Sequence, residues 1–99
     1  MLTRSEILTF LKDNKGLFLS QYGIRKIGIF GSYAREEQTD TSDIDILIDM
    51  LSDTENIFDK RIQLRELLMN HFAKNVDICH EKAIKPIFKE LVLKDAIYA

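Results

Sequence analysis

Apolar residues recur along this chain with two periods, near 3.6 and near 2, and the alternation between them predicts helices separated by short strands. Thr3-Arg4-Ser5-Glu6 has the form of a capping box, and Ile7, Leu8 and Leu11 follow at helical spacing. Gly16 weakens that helix, yet Leu17, Phe18 and Tyr22 extend it to Gly23, which reads as its C-cap. Ile27-Gly28-Ile29-Phe30 is short, apolar and rich in β-formers. The run from Asp43 to Asp49 alternates, with Ile44, Ile46 and Ile48 on a buried face. Ser52-Asp53-Thr54-Glu55 forms a second capping box and predicts a helix with Ile57, Leu64, Leu68 and Phe72 along one side. A third strand is expected over Asn75-Val76-Asp77-Ile78-Cys79, and Pro86 opens a last helix whose buried stripe is Ile87, Phe88, Leu91 and Val92. The order α-β-α-β-α-β-α predicts an α/β fold, a small mixed sheet of about three strands flanked by helices. No repeat, linker or low-complexity tract interrupts residues 1–99, which are expected to form one domain.

The residues with chemistry to offer sit at the strand ends. After Phe30, Gly31-Ser32 is expected to start a helical turn, with free backbone N–H groups and a hydroxyl directed at a phosphate. Glycine there lets the backbone approach the anion closely. Tyr33 to Gln38 predicts a short helix, and Thr39-Asp40-Thr41-Ser42 its polar exit loop. Parallel strands on either side would leave Ser32 and Asp43 about 17–20 Å apart, one strand length, whereas antiparallel pairing brings them together. Asp43 and Asp45 share one strand face, and adjacent carboxylates repel each other. A divalent cation relieves that repulsion, and Mg²⁺ takes such oxygen ligands together with substrate phosphates. The helical segment before the Asp77 strand is long enough for a crossover, which predicts that the two aspartate strands are parallel neighbours. Asp77 then joins Asp43 and Asp45 in a set able to hold two cations and to accept a proton from an attacking hydroxyl.

Each of these readings has a rival. Asp-x-Asp alone favours the solvated entrance of a strand, and the Gly-Ser turn with a third strand aspartate reverses that in favour of the metal site. Arg35, one helical turn past Ser32, either reaches a nucleotide phosphate or forms a solvated face with Glu36 and Glu37. Asp40 belongs to the loop and Asp49 to the strand end, roughly 13 Å beyond Asp45. His71, Cys79 and His80 match no zinc spacing. No Gly-Lys-Ser/Thr follows Gly31-Ser32 as in a P-loop, and no Gly-x-Ser-x-Gly elbow surrounds Ser32. Lys82, Lys85 and Lys89 read as a solvated face, while Leu93 and Ile97 either pack on the first helix or face another protein.

Phe30-Gly31-Ser32-Tyr33-Ala34-Arg35-Glu36, followed by Ser42-Asp43-Ile44-Asp45-Ile46-Leu47, resembles the minimal nucleotidyltransferases of the DNA polymerase beta-like superfamily. These small chains are often paired with a HEPN-domain partner as antitoxin and toxin. The resemblance covers most of the chain and follows the family order of elements. It implies that Gly31 and Ser32 bind the triphosphate of ATP, that Asp43 and Asp45 bind Mg²⁺, and that Asp77 takes the third acidic position. The implied activity is transfer of AMP from ATP to a tyrosine hydroxyl of a cognate HEPN toxin, which silences it. One position departs from the pattern: the family usually reads Ala-Arg-Gly-Glu where this chain has Ala34-Arg35-Glu36-Glu37.

Composition narrows the partners. A net charge of −2 disfavours nonspecific nucleic-acid binding, which phosphate neutralisation dominates. Cys79 is the sole cysteine and lies in an apolar strand, so no internal disulfide is possible and a reducing compartment, the cytoplasm, is expected. No apolar run approaches roughly 18 residues, and Arg4, Glu6, Lys12 and Asp13 break any signal-peptide pattern, so no membrane role is expected. A chain of 99 residues suffices for a modest core without an acceptor module, which points to an acceptor supplied by a partner protein. An antibiotic acceptor would need a pocket that this length hardly provides. The alternative to an enzyme is an antitoxin that neutralises by binding alone. The intact set Asp43, Asp45 and Asp77 favours the enzyme.

Overall fold

A computed structural model describes residues 1–99. Its elements are α1 (Arg4–Asp13), α2 (Lys15–Tyr22), β1 (Ile24–Phe30), α3 (Gly31–Ala34), β2 (Ile44–Met50), α4 (Ile57–Phe72), β3 (Val76–His80), α5 (Pro86–Asp95) and β4 (Ile97–Tyr98). The sheet order is β3-β2-β1-β4. β1 runs antiparallel to β2 with Phe30 opposite Asp45, and β2 runs parallel to β3 with Asp45 beside Asp77. The α4 crossover makes that parallel pairing possible. Ile27 and Ile29 of β1 and Ile44, Ile46 and Ile48 of β2 join Ile7, Leu11, Phe18, Leu64, Leu68 and Val76 in one buried cluster of 16 residues. Each such side chain stabilises the fold by about 1.5–3 kcal/mol. Because strand side chains alternate, Asp45 and Asp77 fall on the other face of the sheet.

Local signals set several boundaries as expected. Thr3 caps α1 by accepting the Glu6 N–H at 3.2 Å, and Gly23 ends α2 in the left-handed region at φ 67°. Pro86 occupies the first turn of α5. Other expectations are overturned. The single helix expected to run on to Gly23 is two helices divided at Asn14, whose side-chain amide donates to the Phe10 carbonyl at 2.8 Å and competes with the helical ladder. Ser52 to Glu55 is not a helix start. Leu51 donates to the Gly23 carbonyl and Thr54 to the Leu51 carbonyl, so this stretch turns over the end of α2 and α4 begins at Ile57. The helix after Phe30 covers Gly31–Ala34 only.

The C-terminal region departs most. Ile87, Phe88 and Leu91 are not buried but 77%, 54% and 66% exposed. α5 instead brings Asp95 to Arg35 at 3.0 Å and leads into β4, a fourth strand. Two residues are too few to show a strand period. β4 pairs with Gly28 and Ile29, and a Cβ at position 28 would collide with the Ile97 carbonyl, so glycine admits this strand.

Glu36 ends the turn after α3 at φ 58°, the left-handed conformation in which the family pattern places glycine. Its carboxylate reaches Arg4 at 2.6 Å, but both side chains are exposed and the pair contributes little. Relief of the strain at position 36 is worth about 1 kcal/mol. Glu36→Gly is therefore expected to be at least as stable as the parent, and more stable than Glu36→Ala by about that amount in urea melts.

Candidate active site

The site begins where β1 stops. Phe30 is extended, and Gly31 turns the chain at φ 72° into α3. A Cβ on Gly31 would overlap the Asp45 carboxylate, so glycine is required both by the backbone angle and by the aspartate pressed against it. Hydrogen bonds from the Arg35 N–H to the Gly31 carbonyl (3.1 Å) and from the Glu37 N–H to the Ser32 carbonyl (2.9 Å) close the turn. Ser32 is half-buried beside it. The first amides of a helix have no intrahelical acceptor, so the start of α3 offers donors next to a carboxylate.

Asp45 is half-buried in β2, while Asp77, beside it in register, and Asp43, one residue before the strand, are exposed. Burial, then the charge of Asp77, then that of Asp43 push the Asp45 carboxyl up to about 6, against the pull of Arg35. The structure thus brings Gly31, Ser32, Asp43, Asp45 and Asp77 to one end of the sheet, with Arg35 near enough to be felt. No three His, Cys, Asp or Glu side chains converge into a cation cage. The donor chemistry nevertheless suits Mg²⁺, since hard carboxylate oxygens repel one another around Asp45. Arg35 itself is engaged elsewhere. It donates to Asp95 Oδ2 at 3.0 Å and to Glu37 Oε2 at 3.1 Å, and these bonds raise its pKa. Its partner Asp95 was invisible in the sequence pattern, lying 60 residues away.

The residues set aside in the sequence have other work. Asp49 is more than a strand end, for it is only 2% exposed and sits among Arg25 of β1, His80 of β3 and Lys82. Burial raises its pKa, but the hydrogen bond and charge of Arg25, followed by Lys82 and His80, outweigh this and leave it lowered. His80 accepts the Met50 N–H through Nε2 at 3.2 Å. This polar clamp spans β1, β2 and β3 at the end opposite the carboxylates. Arg25, Asp49 and His80 come from three different strands and Lys82 from the turn after β3, so no local spacing reveals it. His71 stacks on Phe10, with ring centroids 3.6 Å apart, and burial raises the pKa of Cys79.

The site thus joins a strand, a glycine turn and a short helix to a set of strand-end carboxylates. Residues 10–98 match the family described as Polymerase beta, Nucleotidyltransferase. The chain belongs to that family. It is 40% identical over 99 residues, 99% of each chain, to a Methanocaldococcus jannaschii protein provisionally named a protein adenylyltransferase. It is 35% identical to the protein adenylyltransferase MntA of Thermococcus cleftensis, over 99% of this chain and 97% of that one. Among solved structures it resembles one described provisionally as a minimal nucleotidyltransferase, with a TM-score of 0.79, 25% identity and coverage of 97% and 95%. It also resembles a toxin-antitoxin crystallised with AMP-PNP, with a TM-score of 0.68, 25% identity and coverage of 98% and 72%. No helix is long and apolar enough to cross a membrane.

Because the folded pKa of Asp45 lies above its ordinary value, ionising this group opposes folding. The penalty is absent below the ordinary carboxylate range, grows as pH rises to about 6, and stays at its full value above that. In chelator, Asp45→Asn is expected to be more stable than the parent at pH 8, by on the order of 1 kcal/mol, and indistinguishable from it near pH 4. Thermal melts at the two pH values measure this, and an equal gain at both would contradict it.

Proposed function

We propose that this chain transfers AMP from ATP to a tyrosine hydroxyl of a HEPN-domain toxin, and that the modification makes it the toxin's antitoxin. The observation that carries the reading is the β2–β3 register, which sets Asp77 beside Asp45 at the strand end where Gly31 starts α3. The protein adenylyltransferase names of its relatives support the AMP donor chemistry, and the AMP-PNP complex of a toxin-antitoxin supports a nucleotide and a toxin as its companions. The cytoplasm, with its ATP and reducing conditions, is the compartment this chemistry calls for.

In this reaction Gly31 and Ser32 bind the departing phosphates through backbone N–H groups and the serine hydroxyl. Asp77 accepts the proton of the tyrosine hydroxyl, whose oxygen bonds to the α-phosphorus as the bond to the β-phosphate oxygen breaks. Pyrophosphate leaves. Asp43, Asp45 and Asp77 are the residues that would hold Mg²⁺, two ions in the full complement. Bound there, Mg²⁺ supplies charge neutralisation to the attacking and leaving oxygens. Arg35 would exchange its two ion pairs, with Asp95 and Glu37, for a phosphate.

Incubation of a HEPN-domain partner with ATP, Mg²⁺ and this chain should raise the intact mass of that partner by one or more AMP groups. Asp77→Asn should still bind the partner while the transfer rate falls by about 10²–10⁴-fold, as expected for loss of a proton acceptor. An unshifted partner mass alongside full neutralisation would establish the binding-only antitoxin instead.

A further inference from the structure

In-line displacement places the attacking group and the leaving group on opposite sides of the α-phosphorus. If the leaving phosphates lie at Gly31 and Ser32, the acceptor enters from the far side of Asp45, across Asp77. On that side the sheet ends, because β3 is an edge strand. Along its outer edge runs an open groove of about 380 Å³ between β3 and α4, lined by Phe58, Arg61, Ile62, Arg65, Asp77 and Ile78. One carboxylate therefore belongs both to the aspartate set and to this groove.

The helical wall is laid out on a single face. Phe58, Arg61, Ile62 and Arg65 are spaced three and four residues apart, so their side chains line up along α4. Phe58 is 77% and Ile62 51% exposed, an apolar pair with nothing packed over it. The same wall carries two guanidinium groups. Arg61 donates to the Ile78 carbonyl at 3.1 Å and Arg65 to the Val76 carbonyl at 2.7 Å. These bonds cover the outward carbonyls of β3, discourage edge-to-edge pairing and hold both cations at the groove floor with donors to spare. Apart from Asp77, no anion lines the groove. Its charge suits a carboxylate and its walls suit an apolar side chain.

Building on the proposed AMP transfer, we propose that this α4–β3 groove is the acceptor-docking surface, and that it takes a protein segment carrying its tyrosine next to acidic and apolar residues. The apolar neighbour packs between Phe58 and Ile62, the acidic neighbour pairs with Arg61 and Arg65, and the tyrosine hydroxyl thereby arrives at Asp77. Docking of this kind explains how an exposed carboxylate meets one hydroxyl in preference to others. The apolar face of α5, carrying Ile87, Phe88 and Leu91, lies outside this groove.

The test uses two fluorescent peptides in the presence of Mg²⁺ and AMP-PNP, one with glutamate and leucine beside its tyrosine and one with lysine in place of glutamate. Anisotropy should show the acidic peptide binding the full chain at least about tenfold more tightly, and the exposed double change Phe58→Ser with Ile62→Ser should remove about tenfold of that affinity. Arg61→Gln should narrow the preference between peptides. Ile87→Ser with Leu91→Ser on α5 should leave binding unchanged, and the stabilisation of each variant by Mg-ATP should match the parent. AMP transfer to the same peptides with ATP is measured separately. Binding with these dependences but without transfer would sink the proposed reaction and leave the docking surface standing. Transfer by α4 variants at parental KM, a KM raised by the α5 pair, or no peptide binding at all would overturn the groove.

Discussion

Asp45 lies between the backbone of Gly31 and the carboxylate of Asp77, and this crowding of like charge at one strand end is the constraint on which the site depends. It requires three strands in fixed register. β1 must end opposite Asp45, β2 must bring the aspartate to its first turn of sheet, and β3 must run parallel to β2. A slip of one residue in any pair would send the aspartate into the isoleucine core. The protein holds this arrangement from the other end, where Asp49 of β2 bonds Arg25 of β1 and His80 of β3 accepts the Met50 N–H of β2. At that end Arg25 pairs with the buried Asp49 and Lys82 stands nearby, whereas the carboxylates at the other end have only one another and the more distant Arg35.

That asymmetry is visible in the two strand aspartates themselves. Asp49 is the more deeply buried, yet its pKa is lowered because cations surround it, whereas that of Asp45 is raised by burial among anions. A residue with compensating neighbours supports the fold. One without them is available for a ligand, since a cation bound there gains what the protein itself leaves out. Arg35 stands between the two conditions, close enough to moderate Asp45 but bonded to Glu37 and Asp95.

α4 serves the same design from outside the sheet. Leu64 and Leu68 pack into the core, and the arginines one face around bind the edge of β3. The helix that creates the parallel pairing therefore also closes its exposed edge. The remaining apolar residues of that face, Phe58 and Ile62, are left open beside Asp77.

The sequence alone determined the elements whose signals are local: the Thr3 cap, the Gly23 C-cap, the Pro86 helix start, the Asp43–Asp49 strand pattern and the Gly31-Ser32 turn. It also determined that β1 and β2 are antiparallel and that β2 and β3 are parallel, because connection lengths leave few other ways to place Asp45 near Ser32 and Asp77. The tertiary structure decided what depends on contacts between distant residues. Thr54 turns over Gly23 where a capping pattern reads as a helix, and β4 exists because Gly28 leaves room for it. α5 faces Asp95 toward Arg35 and leaves Ile87, Phe88 and Leu91 exposed, although periodicity alone points that face inward. Periodicity records that a helix has an apolar side. Which side is buried is settled by what the rest of the chain places against it.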